Sequence, residues 1–239
     1  MAHLLEPLPD VDLRTLLQAE QDNEERMLAA RYAPIIRFDA REPFLPLAVG
    51  YTIFRADGES PSFPRRIELR PPDSPPAALA IEYAIWWDWD IEHLYELEHA
   101  WVFVDAEGRV CRGEASWHGG LHDMAQDGRL PLEEGRLVLF SEPGKHAFAP
   151  DPSWFRERRS ARELRDQTMR RAGSGGVWVT PLFEREIRPL RTPYANTLVR
   201  TYLQRYAFEP TWEFTQRTPV RVDQLIPWPA LHSWIPGRV

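Results

Sequence analysis

The chain has 239 residues, a formal net charge of -7 and a pI of about 5.6, with 43% hydrophobic and 27% charged residues. This is enough chain for one substantial core, and no apolar run approaches the roughly 18 residues of a membrane span, so no transmembrane segment is expected. An acidic chain makes a poor polyanion binder, and no nucleic-acid partner is expected either.

The N-terminus, MAHLLEPLPDVDLRTLL, shows no basic segment followed by an apolar one, and Cys111 is the only cysteine. A reducing, cytoplasmic setting without disulfides is the expectation. The chain has 23 prolines and 13 glycines, which suits short strands and ordered loops better than long helices. Lys145 is the single lysine among 29 basic residues, which reads as coding bias.

Asp12 to Ala33 is predicted to be a helix, from the stripe Leu13, Leu16, Leu17, Met27, Leu28 and Tyr32, with Pro34 as its stop. A short β-rich run, Pro34 to Asp39, and a proline-punctuated arm follow. Residues 55–79 read as an ordered loop holding a short strand at Arg66 to Leu69. Leu79 to Trp89 and Glu96 to Asp105 are rich in β-branched and aromatic residues and read as strands. The second should form a hairpin with Arg109 to Trp117 across the turn at Glu107-Gly108. Arg136 to Ser141 is a further strand, closed by Pro143-Gly144. Asp151 to Arg171 is predicted as a second helix, Gly175 to Thr180 as a strand and Asn196 to Tyr206 as a shorter helix. No repeat, low-complexity tract or linker divides the chain, so one domain over 1–239 is expected.

The chemistry concentrates in the middle. His93, His99, His118, His122 and His146, of seven histidines, fall in one stretch, and Asp88, Asp90, Glu96 and Glu98 crowd near the first of them. Strand alternation places Glu96, Glu98, Ala100, Val102 and Val104 on one face and Leu97, His99, Trp101 and Phe103 on the other. Both faces are largely apolar, so the strand should be buried on both sides with its glutamates at one end. Adjacent buried carboxylates repel each other and lose solvation, so they face either water or a cation. His93 with these acids can hold a divalent ion, and His118 or His146 can complete the set. A solvated acidic strand end is the plainer alternative.

Other candidates have plain readings. His118, in Ser116-Trp-His-Gly-Gly120, sits in a turn where surface histidines are common, and Lys145 beside His146 would repel a cation sharing its site. His99 reads as a hydrogen-bonded core histidine. Trp86, Trp87, Trp89, Trp101 and Trp117 read as core in preference to the lining of a cleft. The arginines between Arg156 and Arg171 read as a solvated helix face. No P-loop, G-x-G-x-x-G, G-x-S-x-G or H-E-x-x-H motif occurs, which removes the usual nucleotide, serine-hydrolase and zincin readings.

Ala30-Arg-Tyr-Ala-Pro-Ile-Ile-Arg-Phe-Asp-Ala-Arg-Glu-Pro-Phe-Leu-Pro46 resembles the opening of the intracellular, vacuolar-sorting-type relatives of the necrosis-inducing proteins. There "RYAP", a short strand, an acidic turn and "LP" follow one another. Ile81 to Trp87 is similar to that family's aromatic strand, and His93-Leu-Tyr-Glu96-Leu-Glu98-His99 parallels its heptad G-H-R-H-D-W-E. Ser116-Trp-His118-Gly matches "S-x-H-G", and Gly144-Lys-His146-Ala is similar to "G-S-H-A". The departures are Glu92 for the glycine, Tyr95 for the second histidine, Glu96 for the aspartate and Leu97 for the tryptophan. The resemblance covers about residues 30–150. It implies a β-sandwich holding a divalent cation at one end, on His93, Glu96, Glu98 and either Asp90 or Asp88. The membrane-lytic role of secreted members is not implied, because their signal peptide and usual disulfide have no counterpart in this sequence.

The expected molecule is mainly β with peripheral helices, a single-domain β-sandwich. Magnesium, calcium or manganese is the favoured ion, with zinc if more histidines join. Three roles stay open. One is a metal-dependent hydrolase in which His118 or His146 moves protons; another is a metal-dependent module that binds a small molecule, glycan or lipid head group without chemistry. The third is a structural protein with no metal.

Overall fold

Runs of β-branched and aromatic residues in the middle of the chain do form the long strands, and short polar or proline-bounded runs form brief ones. The structure, a computed structural model, describes residues 24–239. Its strands are β1 Ile35–Phe38, β2 Ala48–Phe54, β3 Gly58–Glu59, β4 Arg66–Ile67, β5 Leu79–Trp89, β6 His93–Val104 and β7 Val110–Trp117. There follow β8 Gly120–Asp123, β9 Leu132–Glu133, β10 Arg136–Ser141, β11 Phe148–Ala149, β12 Gly176–Val177, β13 Gln216–Pro219 and β14 Leu225–Pro227. The helices are α1 Glu24–Tyr32, α2 Ser153–Arg158, α3 Ala161–Thr168, α4 Glu184–Ile187, α5 Pro193–Leu203 and α6 Trp228–Arg238.

One sheet runs β14-β2-β5-β6-β7-β8, with β12 added alongside β6; the other runs β11-β10-β1-β13, with β9 beside β10. They share an apolar core. Ile81, Ile85, Trp87, Ala100 and Val102 of the first sheet pack with Ile36, Phe38, Leu137, Leu139 and Phe148 of the second. The far face of the first sheet carries Trp86, Leu97, His99 and Trp101, so β6 is covered on both sides as its composition required. Helix α6 closes on that face at Gly50, where a Cβ would lie 2.8 Å from the Trp228 ring. The fold is thus mainly β with helices at its periphery.

Two helix expectations are corrected. The predicted helix at 151–171 breaks in two because Ser160 accepts the Glu163 N–H while the Glu163 carboxylate accepts the Ser160 N–H, a reciprocal cap that starts α3. That cap is visible as Ser160-Ala-Arg-Glu163. The helix predicted at 196–206 begins earlier, at Pro193 after the Thr192 cap, and tightens into a 3-10 turn at Gln204–Tyr206. The helix predicted from Asp12 is present as α1 over Glu24–Tyr32, and the rest of it lies outside the described residues.

Two features of β6 position the site. Its ladder with β7 stops at the Ala100↔Ala115 pair, while β12 pairs only with His93 and Leu94. Between them, Tyr95 to His99 form an open edge, where the His99 N–H is taken by the Ser116 hydroxyl at 2.6 Å. Tyr95 also adopts a left-handed backbone at φ 49, and its ring stacks on Trp86 at 4.9 Å. Strict alternation would send His93 and Glu96 to opposite faces. The bend at Tyr95 brings them together, with His93 Nε2 3.6 Å from Glu96 Oε2.

Candidate functional site

The open edge of β6 floors a groove of about 1030 Å³. Glu96 and Glu98, with His93 beside them, form its floor, Phe63, Leu97 and Trp178 its apolar walls, and Arg159, Arg171 and Arg191 part of its rim.

At one end, Asp90, His93 and Glu96 offer donor atoms that lie within 4.8 Å of one another, a spacing able to hold a metal. Of the residues expected to hold an ion, Asp90, His93 and Glu96 come together; Glu98 lies outside this group, and of the two upstream aspartates it is Asp90 that joins. His93 Nδ1 donates to the Tyr95 carbonyl at 2.8 Å, which leaves Nε2 as the inward acceptor. Burial pushes the His93 imidazole down to about 4, so it is neutral.

The donors are already engaged by a cation of the chain itself. The Lys145 ammonium lies 2.5 Å from Asp90 Oδ2, 3.3 Å from His93 Nε2 and 3.4 Å from Glu92 Oε2. Burial would push Asp90 up, yet His93 and Lys145 beside it hold its carboxyl well below the usual range. Burial likewise works against the charge on Lys145, but Asp90, Glu96 and Glu92 outweigh it and raise its pKa. The three donors alone are spaced for a divalent ion. With Lys145 seated among them, the set does not fit one.

Glu96 and Glu98 are different, since among the described residues neither has a lysine or arginine within ion-pair distance. Burial first, then the neighbouring Glu98 and Asp90 charges, lift Glu96 well above the carboxylate range. Burial raises Glu98 to about 7 despite a hydrogen bond from the Ser116 hydroxyl. The floor therefore carries protons or awaits a partner that donates hydrogen bonds or positive charge.

The two histidines expected to move protons lie in different settings. His118 lines the groove at the end of β7, with Nε2 2.6 Å from the buried Glu142 carboxylate and 3.1 Å from Arg159. His146 is fully buried, stacked on Trp87 at 4.5 Å with Nε2 3.3 Å from Glu42 Oε1. It does not line the groove. Asp88 points away from the site: it bonds Arg238 at 2.6 Å and accepts the Trp86 indole N–H at 3.2 Å. Alternation explains this, because Glu96 stands opposite Trp87 and the next residue of β5 faces the other side.

Several contributors had no clear sequence signal. Glu42 and Glu142 sit in turns, where acids are usually solvated, yet both are buried. Trp178 is 45% exposed and lies over the His93 ring at 5.2 Å and 21°, directly after a strand of only two residues. Arg159 is half-buried against Glu142 at 3.4 Å, and Arg171, though exposed as expected, meets Glu92 at 2.8 Å. Lys145, read as a residue that would keep cations away, is at the centre.

No protein-family profile and no curated protein matches the chain. Among solved structures it is similar to NLPPya in complex with glucosamine, at 14% identity over 54% of this chain and 69% of that one, with a TM-score of 0.36. It is also similar to Necrosis and Ethylene inducing Protein 2 from the causal agent of cocoa's witches' broom disease, at 17% identity over 51% and 66%, with a TM-score of 0.31. A toxin-fold structure tied to microbial attack and plant defence matches at 14% identity over 54% and 70%, with a TM-score of 0.34. These neighbours are necrosis-inducing-type toxin folds, matched at low identity and over part of each chain.

Proposed function

We propose that the groove binds a small, hydrogen-bonding molecule, of the glycan or polar head-group class, without acting on it. The observation that carries this reading is the juxtaposition of an exposed ring, Trp178, with a floor of two carboxylates that, among the described residues, have no lysine or arginine within ion-pair distance. A ring face takes the apolar side of such a ligand, and buried acceptors take its hydroxyl or amine donors. The rim arginines suit an anionic substituent on the same molecule. A cytoplasmic setting belongs to this reading, and the half-buried free thiol Cys111 suits it.

A second reading is a hydrolase, with magnesium, calcium or manganese on Asp90, His93, Glu96 and Glu98 and with His118 as the proton carrier. The spacing of the first three donors favours it, and the position of Lys145 weighs against it. His146 plays no part in either reading, being walled off behind Trp87.

The test is a tryptophan-fluorescence titration with monosaccharides, amino sugars and glycerophospho head groups, each with and without chelator. Saturable quenching in the wild type, lost in Trp178→Ala and unaffected by chelator, supports the binding module. Turnover of phosphoester, ester or glycoside substrates that stops with chelator would support the hydrolase. A panel with no response in either assay sinks the groove reading.

A further inference from the structure

The one lysine of a chain with 29 basic residues lies with its side chain only 9% exposed, in the most acidic part of the molecule. Elsewhere among the described residues the ion pairs are made by arginine, or by histidine where it is protonated. An ammonium is a compact point charge with three donors and no acceptor, and it draws acceptor atoms around itself as a small metal ion does. A guanidinium is flat and wider and does not fit such a pocket in the same way.

The turn presenting Lys145 is held from several directions. The Glu142 carbonyl accepts the N–H groups of Lys145 at 3.1 Å and His146 at 3.0 Å. Gly144 is left-handed at φ 72 and packs so closely on Ile91 that a Cβ would come within 2.7 Å. Glu42 accepts the Gly144 N–H at 2.6 Å and meets His146 on the other side. The ammonium is therefore delivered to Asp90 and His93 by a rigid support, at the donors whose spacing would otherwise suit a divalent ion.

We propose that Lys145 is a tethered cation standing in place of a divalent metal ion, so that Asp90, Glu92 and His93 at the acidic end of the groove are held together without metal. This rests on the groove floor described above and not on the identity of what the groove binds. A single charge replaces two and pairs directly with Asp90 and Glu92, which leaves Glu96 and Glu98 without a direct ion pair to it and available to a ligand. Metal dependence is thereby removed from binding.

Because there is only one lysine, selective 15N labelling of lysine side chains reports this group alone. The full-length protein is expected to show one slowly exchanging ammonium signal, unmoved by EDTA, magnesium or calcium, and lost or shifted in Asp90→Asn. Lys145→Met, which keeps the chain length of the stem and removes the charge, should bind manganese at least tenfold more tightly than the wild type. Uptake of one divalent ion per wild-type molecule with displacement of the ammonium signal would overturn the proposal. So would a Lys145→Met protein that binds manganese no better than the wild type. If that variant does not fold, the wild-type signal under metal titration decides alone. Failure of every saccharide and head-group probe, with these results intact, would remove the ligand reading and leave Lys145 in its role.

Discussion

Glu42 Oε2 accepts the backbone N–H of Gly144 at 2.6 Å, which ties the loop following β1 to the turn that carries Lys145. The same carboxylate reaches His146 through Oε1 at 3.3 Å. The second sheet thus sets the position of a charge used on the first.

Gly144→Ala should disturb this turn directly. It combines a left-handed backbone with a Cβ placed 2.7 Å from Ile91 Cγ2 and 3.2 Å from Thr168 Cγ2. Strain of each kind costs about 1–3 kcal/mol, so the denaturation midpoint should fall by the equivalent of about 2 kcal/mol or more. A midpoint within error of the wild type would show that the turn is not constrained in this way.

Glu98 gives a stability effect of defined sign. Its folded pKa of about 7 lies above the ordinary 4.5, so the acid stabilises the fold below the ordinary value and that contribution is lost as pH rises through 7. Glu98→Gln removes the loss. In metal-free protein the variant should gain on the wild type in melting temperature between about pH 5 and about pH 8. A gap that does not change with pH would count against a buried, uncompensated carboxyl.

The two histidines should separate cleanly. His146→Ala removes a fully buried ring stacked on Trp87, and such truncations cost about 2–4 kcal/mol. Its effect on ligand quenching in folded protein should be nil. His118→Ala should cost about 1–2 kcal/mol, since Glu142 keeps Arg159 and Gln167, while weakening quenching by any groove ligand. Equal effects of both variants on quenching would show that the groove is drawn wrongly.

Asp88→Asn should leave the groove untouched. The Asp88–Arg238 pair lies at the surface, with side chains 24% and 47% exposed, and pairs of this kind contribute at most about 1 kcal/mol. Loss of ligand quenching in this variant would return Asp88 to the site.

Much of the β architecture was legible because its signals are local. Leu79–Trp89 and Arg136–Ser141 fall where β-branched and aromatic content put them. Helix α6 was not foreseen, since Pro229 and Pro236 mask a helical pattern, the first by starting the helix and the second by sitting within its last turn. Of the site, Asp90, His93, Glu96 and Glu98 were readable because they are close in sequence. Glu42 and Glu142 were not: their roles depend on burial by partners about a hundred residues away for Glu42 and by α3 for Glu142. Lys145 was seen as a charge that would repel a cation sharing its site, and the structure places it among the donors themselves. The sequence shows it only beside His146, and the fold reveals that its ammonium meets Asp90 and Glu92 more than fifty residues away.

Trp178 directly follows β12, which joins the large sheet through just His93 and Leu94 and is secured on α5 by Asn196, whose side-chain oxygen accepts the Val177 N–H at 3.0 Å. The lip therefore has a support on α5 besides its pairing with β6. Substitutions around Trp178 and Asn196 can reshape the entrance while the charge arrangement on β6 stays as it is. Selectivity among ligands can drift in this molecule without passing through a variant whose acidic centre has come apart.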